Sequence, residues 1–151
     1  MSEELYERMK KFYNESPLPQ KVTKPLKEGA VAEVEFDGDP ATYMMIKEGG
    51  RSLFKPGKPK KPEVYMKFNR GAVDYLLAVK GDDEKAIEEY VSRLGECVLN
   101  PTPERWLQFK LCANVLTGAR MGYFGMMRMG GRKAFDLALK LGIKIPKKFL
   151  S

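Results

Sequence analysis

Apolar positions along this chain change their spacing twice. Residues 2 to 15 place Leu5, Met9, Phe12 and Tyr13 at helical intervals, with Ser2 as cap and Glu3 and Glu4 in the first turn, where the helix dipole favours acids. The spacing predicts a short amphipathic helix. Ser16-Pro17-Leu18-Pro19 ends it, and the stretch to Gly29, with Pro17, Pro19 and Pro25 among Lys21, Lys24 and Lys27, is too aperiodic for an element and reads as a connector. From residue 30 the period is two: Ala32, Val34 and Phe36 alternate with Val31, Glu33 and Glu35. Asp37-Gly38-Asp39-Pro40 turns the chain into a second strand, Ala41 to Lys47, and Glu48-Gly49-Gly50 turns it into a third, Arg51 to Phe54. The loop from Lys55 to Pro62 has three prolines and cannot join a sheet, after which Val64, Met66 and Phe68 alternate with Glu63, Tyr65 and Lys67. Such short connections predict mostly antiparallel pairing.

The period then becomes helical. Asn69 is placed to cap a helix carrying Val73, Leu76 and Leu77 that Gly81 stops. Asp82 or Asp83 caps the next, which runs to about Cys97 with Ile87, Tyr90, Val91 and Leu94 on one face. After Asn100-Pro101, Thr102 as cap and Pro103 at the first helical position predict a third helix, 103 to 117, in which Trp106, Leu107, Phe109, Leu111, Cys112, Val115 and Leu116 wrap much of the circumference. Residues 118 to 131 hold five glycines, which argue against a regular helix, beside Tyr123, Phe124, Met126, Met127 and Met129, which demand burial. A last helix is expected from Arg132 to Leu141. The pattern as a whole is α+β, a mostly antiparallel sheet of four to five strands covered by helices.

Composition narrows the chemistry. The 151 residues contain no His, which removes Ser-His and Cys-His nucleophile pairs and imidazole metal sites, so neither a cofactor nor a metal is expected and the chain reads as a non-enzyme. The carboxylate clusters Asp82-Asp83-Glu84 and Glu88-Glu89 fall on the polar face of a helix and read as solvated surface. Gly125-x-x-x-x-Gly130-Gly131-Arg132 lacks the Lys and Ser or Thr of a phosphate-binding loop. Cys97 and Cys112 are too far apart for a C-x-x-C pair and read as buried free thiols in a reducing compartment. The start, Met1-Ser2-Glu3-Glu4, lacks the basic and apolar regions of a secretory signal, and the expected location is cytoplasmic.

Two biases remain. The net charge of +7 means attraction to an anionic surface, and Lys55, Lys58, Lys60 and Lys61 crowd one loop while Lys144, Lys147 and Lys148 crowd the tail. Both clusters are poor in the aromatics that single-stranded nucleic acid stacks on, so nucleic acid is the disfavoured partner, and transient contact with anionic lipid stands level with a plain solvated basic surface. The second bias is methionine, nine in all, clustered as Met44-Met45 and as Met121, Met126, Met127 and Met129. Flexible thioethers line apolar pockets whose occupants vary in shape, although they also serve as plain core filling.

The segments AVAEVEFDG, ATYMMIK, EVYMKF, NRGAVDYLLAVKG, DDEKAI and GGRKAFDLALKLG, in this order, resemble the sterol carrier protein type 2 (SCP-2) domain family over residues 30 to 97 and 130 to 142. The resemblance implies a five-stranded sheet with helices on one face and an apolar tunnel between them for a fatty acyl chain, acyl-CoA or sterol-like lipid. By position, Met66, Phe68, Leu76, Leu77, Phe135, Ala138 and Leu139 would line it, and the residue pattern had already put them on inward faces. Trp106 and Phe109 of the apolar third helix, and Met121, Phe124 and Met127 after it, join this candidate lining. Lys67 or Arg70 would meet a polar head, and Lys58, Lys60 and Lys61 would touch a membrane surface. The family passes from its second helix through a strand of the type GKLKIEGD into the last helix, whereas here residues 98 to 129 intervene. Either the helix near 103–117 is an insertion that covers the cavity, or the fifth strand is absent, Met121 to Met129 being its nearest candidate. The helix at 2–15 is also extra, which divides the chain into 1–29, helix and connector, and 30–151, the SCP-2-like domain. Phe149-Leu150-Ser151 does not match a peroxisomal ending.

The expected function is thus non-catalytic binding and transfer of a lipid, held by apolar burial at about 0.8 kcal/mol per CH2. The alternatives are a protein-interaction module with a self-filled core and a basic RNA-associated domain, whose binding would weaken steeply with salt. The sequence leaves the oligomeric state open.

Overall fold

A computed structural model describes residues 3–130, and their architecture is α+β. Helix α1, Glu3–Glu15, forms where the apolar spacing puts it and buries Leu5, Met9 and Tyr13. The expected cap Ser2 and the expected last helix, 132–141, lie outside the described residues.

The connector contains an element after all. Pro17–Val22 forms a short helix, α2, capped by Ser16, with Pro17 in its first turn. Those prolines read as breakers, but a first helical turn needs no N–H from them. What holds so short a helix is burial of Leu18, Pro19 and Val22 and a polar cluster beneath it. Thr23 Oγ1 donates to Pro19 O (2.8 Å), Ser52 Oγ donates to Thr23 Oγ1 (2.6 Å), and the buried Lys47 Nζ donates to Thr23 O (3.0 Å).

Strands β1 (Val31–Phe36), β2 (Tyr43–Glu48), β3 (Arg51–Pro56), β4 (Val64–Phe68) and β5 (Leu107–Leu111) make one sheet in the order β3-β2-β1-β4-β5. Three pairings are antiparallel, but β1 and β4 run parallel, with Ala32 opposite Val64 and Phe36 opposite Phe68. The sheet is therefore mixed, which corrects the inference from short connections. The proline-rich loop does not turn β4 back beside β3; it carries the chain across β2 and β1 to the far side of β1. That crossing is about 14 Å at the usual strand spacing, within reach of a few extended residues.

Register sorts the side chains. Ala32, Val34, Phe36, Tyr43, Met45, Phe54, Met66, Phe68, Leu107 and Phe109 share the face covered by helices. Glu33, Glu35, Met44, Ile46, Leu53, Tyr65 and Lys67 share the other. On the covered face, Tyr6 of α1 stacks on Tyr43 at 4.2 Å, and Phe36 lies 5.9 Å from Phe68. Helix α3, Arg70–Leu77, is capped by Asn69 and ends before Gly81; helix α4, Glu84–Leu99, is capped by Asp83, whose Oδ1 accepts from Ala86 N.

The helix expected at 103–117 is replaced by a tight turn, in which Thr102 and Arg105 bridge, and by β5. Leu107, Phe109 and Leu111 alternate with Gln108 and Lys110, a period of two that completes the free edge of β4. An apolar pattern that seemed to wrap a helix belonged to a strand with one face on the core. The fifth strand is thus present, at 107–111 rather than 121–129, and nothing is inserted as a helix there. The glycine-rich stretch, which the pattern left undecided, lies in two short helices, α5 (Val115–Arg120) and α6 (Tyr123–Arg128). Gly122 joins them at φ +95°, and a Cβ there would stand 1.9 Å from Pro25 O, so only glycine lets α6 approach the 23–30 segment.

Candidate functional site

Between α4, α6 and the β4–β5 pair lies a cavity of about 50 Å³ whose surface is wholly apolar. Helix α4 contributes Val91, Leu94 and Val98, which share one face at three- and four-residue steps. The sheet contributes Met66 from β4 with Leu107 and Phe109 from β5, neighbours in register. Helix α6 closes it with Tyr123, Met126 and Met127. Tyr123 presents its ring to the space, while its hydroxyl donates to Glu63 Oε1 at 3.2 Å, the same oxygen that accepts from Val31 N at 2.8 Å. Burial first, then the Glu63 carboxylate, holds the Tyr123 phenol protonated far above its ordinary range.

Of the expected lining residues, Met66, Phe109 and Met127 meet at this cavity. Trp106 lies beside it, in a surface groove of about 500 Å³ that also holds Pro101, Pro103 and Gln108 and shares Val98, Leu107 and Phe109 with the cavity wall. The others go elsewhere. Phe68 and Leu76 are core residues, buried at 2% and 0% exposure, and Leu77 faces a separate groove with Arg8 and Phe12 of α1. Met121 packs half-buried against the core, and Phe124 is buried without lining the cavity. Phe135 and Leu139 lie outside the described residues.

None of the expected head-group or docking cations lines the cavity. Lys67 stands on the uncovered sheet face opposite Glu35, and Arg70 at the start of α3 is ion-paired with Glu4. Lys58, Lys60 and Lys61 are exposed on the crossover loop. The residues that the sequence reading left out of the lining are Val91, Leu94, Val98, Leu107, Tyr123 and Met126. Val91 and Leu94 were legible as an apolar helix face, Val98 lay past the expected helix end, Leu107 depended on knowing that 107–111 is a strand, and Tyr123 and Met126 on knowing that 123–128 is a helix.

The two thiols differ. Cys97 is buried, which pushes its thiol up to about 11, but Cys112 is exposed, contrary to expectation. Across α4 from the cavity, Tyr75 lies between two guanidinium groups, Arg93 at 4.4 Å and Arg105 at 3.9 Å. Its hydroxyl donates to Glu96 Oε2 (2.8 Å), which also accepts from Arg105 Nη2 (2.9 Å). This cluster fixes the loop between α4 and β5, and Gly71 of α3 lets that loop press close, since a Cβ there would stand 1.8 Å from Glu104 O. Among the described residues no group of acids and cysteines is arranged to hold a metal ion, and no helix is long and apolar enough to cross a membrane. No family model and no curated protein matches the chain.

Proposed function

We propose that this protein is a non-catalytic cytoplasmic lipid carrier that takes the apolar chain of a fatty acyl, sterol-like or isoprenoid ligand between α4, α6 and the β4–β5 pair. The observation that carries this reading is the wholly apolar cavity, whose wall brings Met66, a position the resemblance to the SCP-2 family implies, together with Phe109 and Met127, candidates by their apolar character. An α+β arrangement with helices on one face of a five-stranded sheet supports the same family reading. Three of the nine lining residues are methionines, which change shape at little cost, and a ligand needs that, because about 50 Å³ is far below the several hundred of a formed ligand site. At about 0.8 kcal/mol per CH2, roughly eight buried methylenes contribute ~6 kcal/mol, enough to matter against the cost of association. The exposed Lys58, Lys60 and Lys61 suit brief contact with an anionic membrane.

The small volume favours a second reading, an interaction module whose core its own side chains fill. Titration with the fluorescent polyene cis-parinaric acid separates the two. Saturable uptake of about one probe per chain, displaced by an unlabelled fatty acid, supports the carrier; no uptake leaves the interaction module.

A further inference from the structure

Resting on the lipid reading, we infer that the ligand enters over the wall formed by Val98, Leu107 and Phe109, from the groove beneath Trp106. Among the described residues these three are common to the inner cavity and the outer groove, and so form a wall between the two spaces. The wall is built from a helix end and an edge strand. Val98 sits in the last turn of α4, where Asn100 N donates to Glu96 O (2.9 Å) but Pro101 has no N–H to give the next carbonyl. Leu107 and Phe109 belong to β5, a strand at the sheet edge that pairs with β4 alone among the described strands. A helix end and an edge strand open at lower free energy than the sheet centre.

The surroundings are held while the wall yields. Trp106 is fixed by its backbone: its N–H donates to Asn69 Oδ1 (3.0 Å) and its carbonyl accepts from Asn69 N (3.2 Å). Arg105, stacked on Tyr75 and bonded to Glu96, ties the same loop to the far side of α4. The backbone beside the groove is therefore held while the side chains of Val98 and Phe109 part to admit an apolar chain. Trp106 and Gln108 line the groove without lining the cavity, which lets the doorway be altered apart from the binding space.

The test is stopped-flow uptake and release of cis-parinaric acid by the wild-type chain, Trp106→Ala and Gln108→Trp. A wider groove in Trp106→Ala is expected to speed both rates by at least about threefold, and a bulkier rim in Gln108→Trp to slow both by about tenfold, with each affinity within about twofold of wild type. Unchanged rates, or affinities that shift while the rates stay put, overturn the doorway and leave the cavity reading standing, with a path over α6 as the remaining route. Absence of any uptake by the wild-type chain removes the lipid reading and the doorway with it.

Discussion

Asn69 Oδ1 accepts two backbone hydrogen bonds, from Ala72 N at 2.9 Å and from Trp106 N at 3.0 Å. One buried amide thus caps α3 and fixes the approach to β5, 37 residues later in the chain. Replacing it by alanine removes a cap, worth about 1 kcal/mol, and orphans the Trp106 N–H, worth about 1–3 kcal/mol more. Asn69→Ala is therefore expected to lower stability by about 2–4 kcal/mol in denaturant unfolding, while Asn69→Asp, which keeps the acceptor, costs less. Equal losses for the two substitutions would show that the shared acceptor is not what matters.

Gly118 and Gly122 make a contrasting pair. A Cβ at Gly118 would meet, among the described residues, Leu111 Cδ1 at 3.5 Å, an ordinary contact, whereas at Gly122 it would meet Pro25 O at 1.9 Å with φ at +95°. Gly118→Ala is expected to leave stability unchanged or raise it by about 0.5–1 kcal/mol through helix propensity. Gly122→Ala is expected to cost more than about 2 kcal/mol, from strain and from the shift of Pro25. Thermal unfolding of both variants checks the ordering.

Much of the architecture was legible in the pattern. The α1 spacing, four strands, the Asn69 cap and the α4 cap, as Asp82 or Asp83, all came from periodicity and cap chemistry, because each depends on neighbours in sequence. The failures share a physical cause. Whether 107–111 is a helix or a strand depends on β4 offering an open edge, and whether 17–22 is helical depends on Lys47 and Ser52 lying beneath it, partners that no local window contains. The cavity wall follows the same rule: Met66, Phe109 and Met127 stand out by their apolar character, Leu107 could not be placed without the strand, and Leu77 lies in a groove with α1 instead.

That reassignment has a measurable result. Leu77 faces α1 rather than the cavity, while Met127 lines it. Leu77→Glu is expected to leave cis-parinaric acid affinity within about twofold of wild type, and Met127→Trp, which fills the cavity at an overpacking cost of about 1–3 kcal/mol, to weaken it by at least about tenfold. Binding titrations on the two variants decide the matter, and the reverse order would return the site to the α1–α3 groove.

Buried phenols set the alkaline limit. Burial raises the Tyr13 hydroxyl to about 12, against which its hydrogen bond with Tyr90 pulls down only partly. Because the folded value lies above the unfolded one, near 10, the folded state holds more protons between them, and stability falls as pH rises through that window. The contribution is complete below about pH 10 and lost toward pH 12. Denaturation midpoints measured alongside tyrosinate absorbance are expected to show this fall, with a shallower slope in Tyr13→Phe; an identical slope would assign the effect to other groups.

Native mass spectrometry of the gently purified protein, followed by organic extraction, addresses the cavity most directly. The expected result is a mass above that of the chain by one lipid molecule, released on denaturation and recovered in the extract. A clean apo mass that stays unchanged after incubation with fatty acid, acyl-CoA or sterol would contradict the carrier and leave a self-filled core between α4 and the sheet.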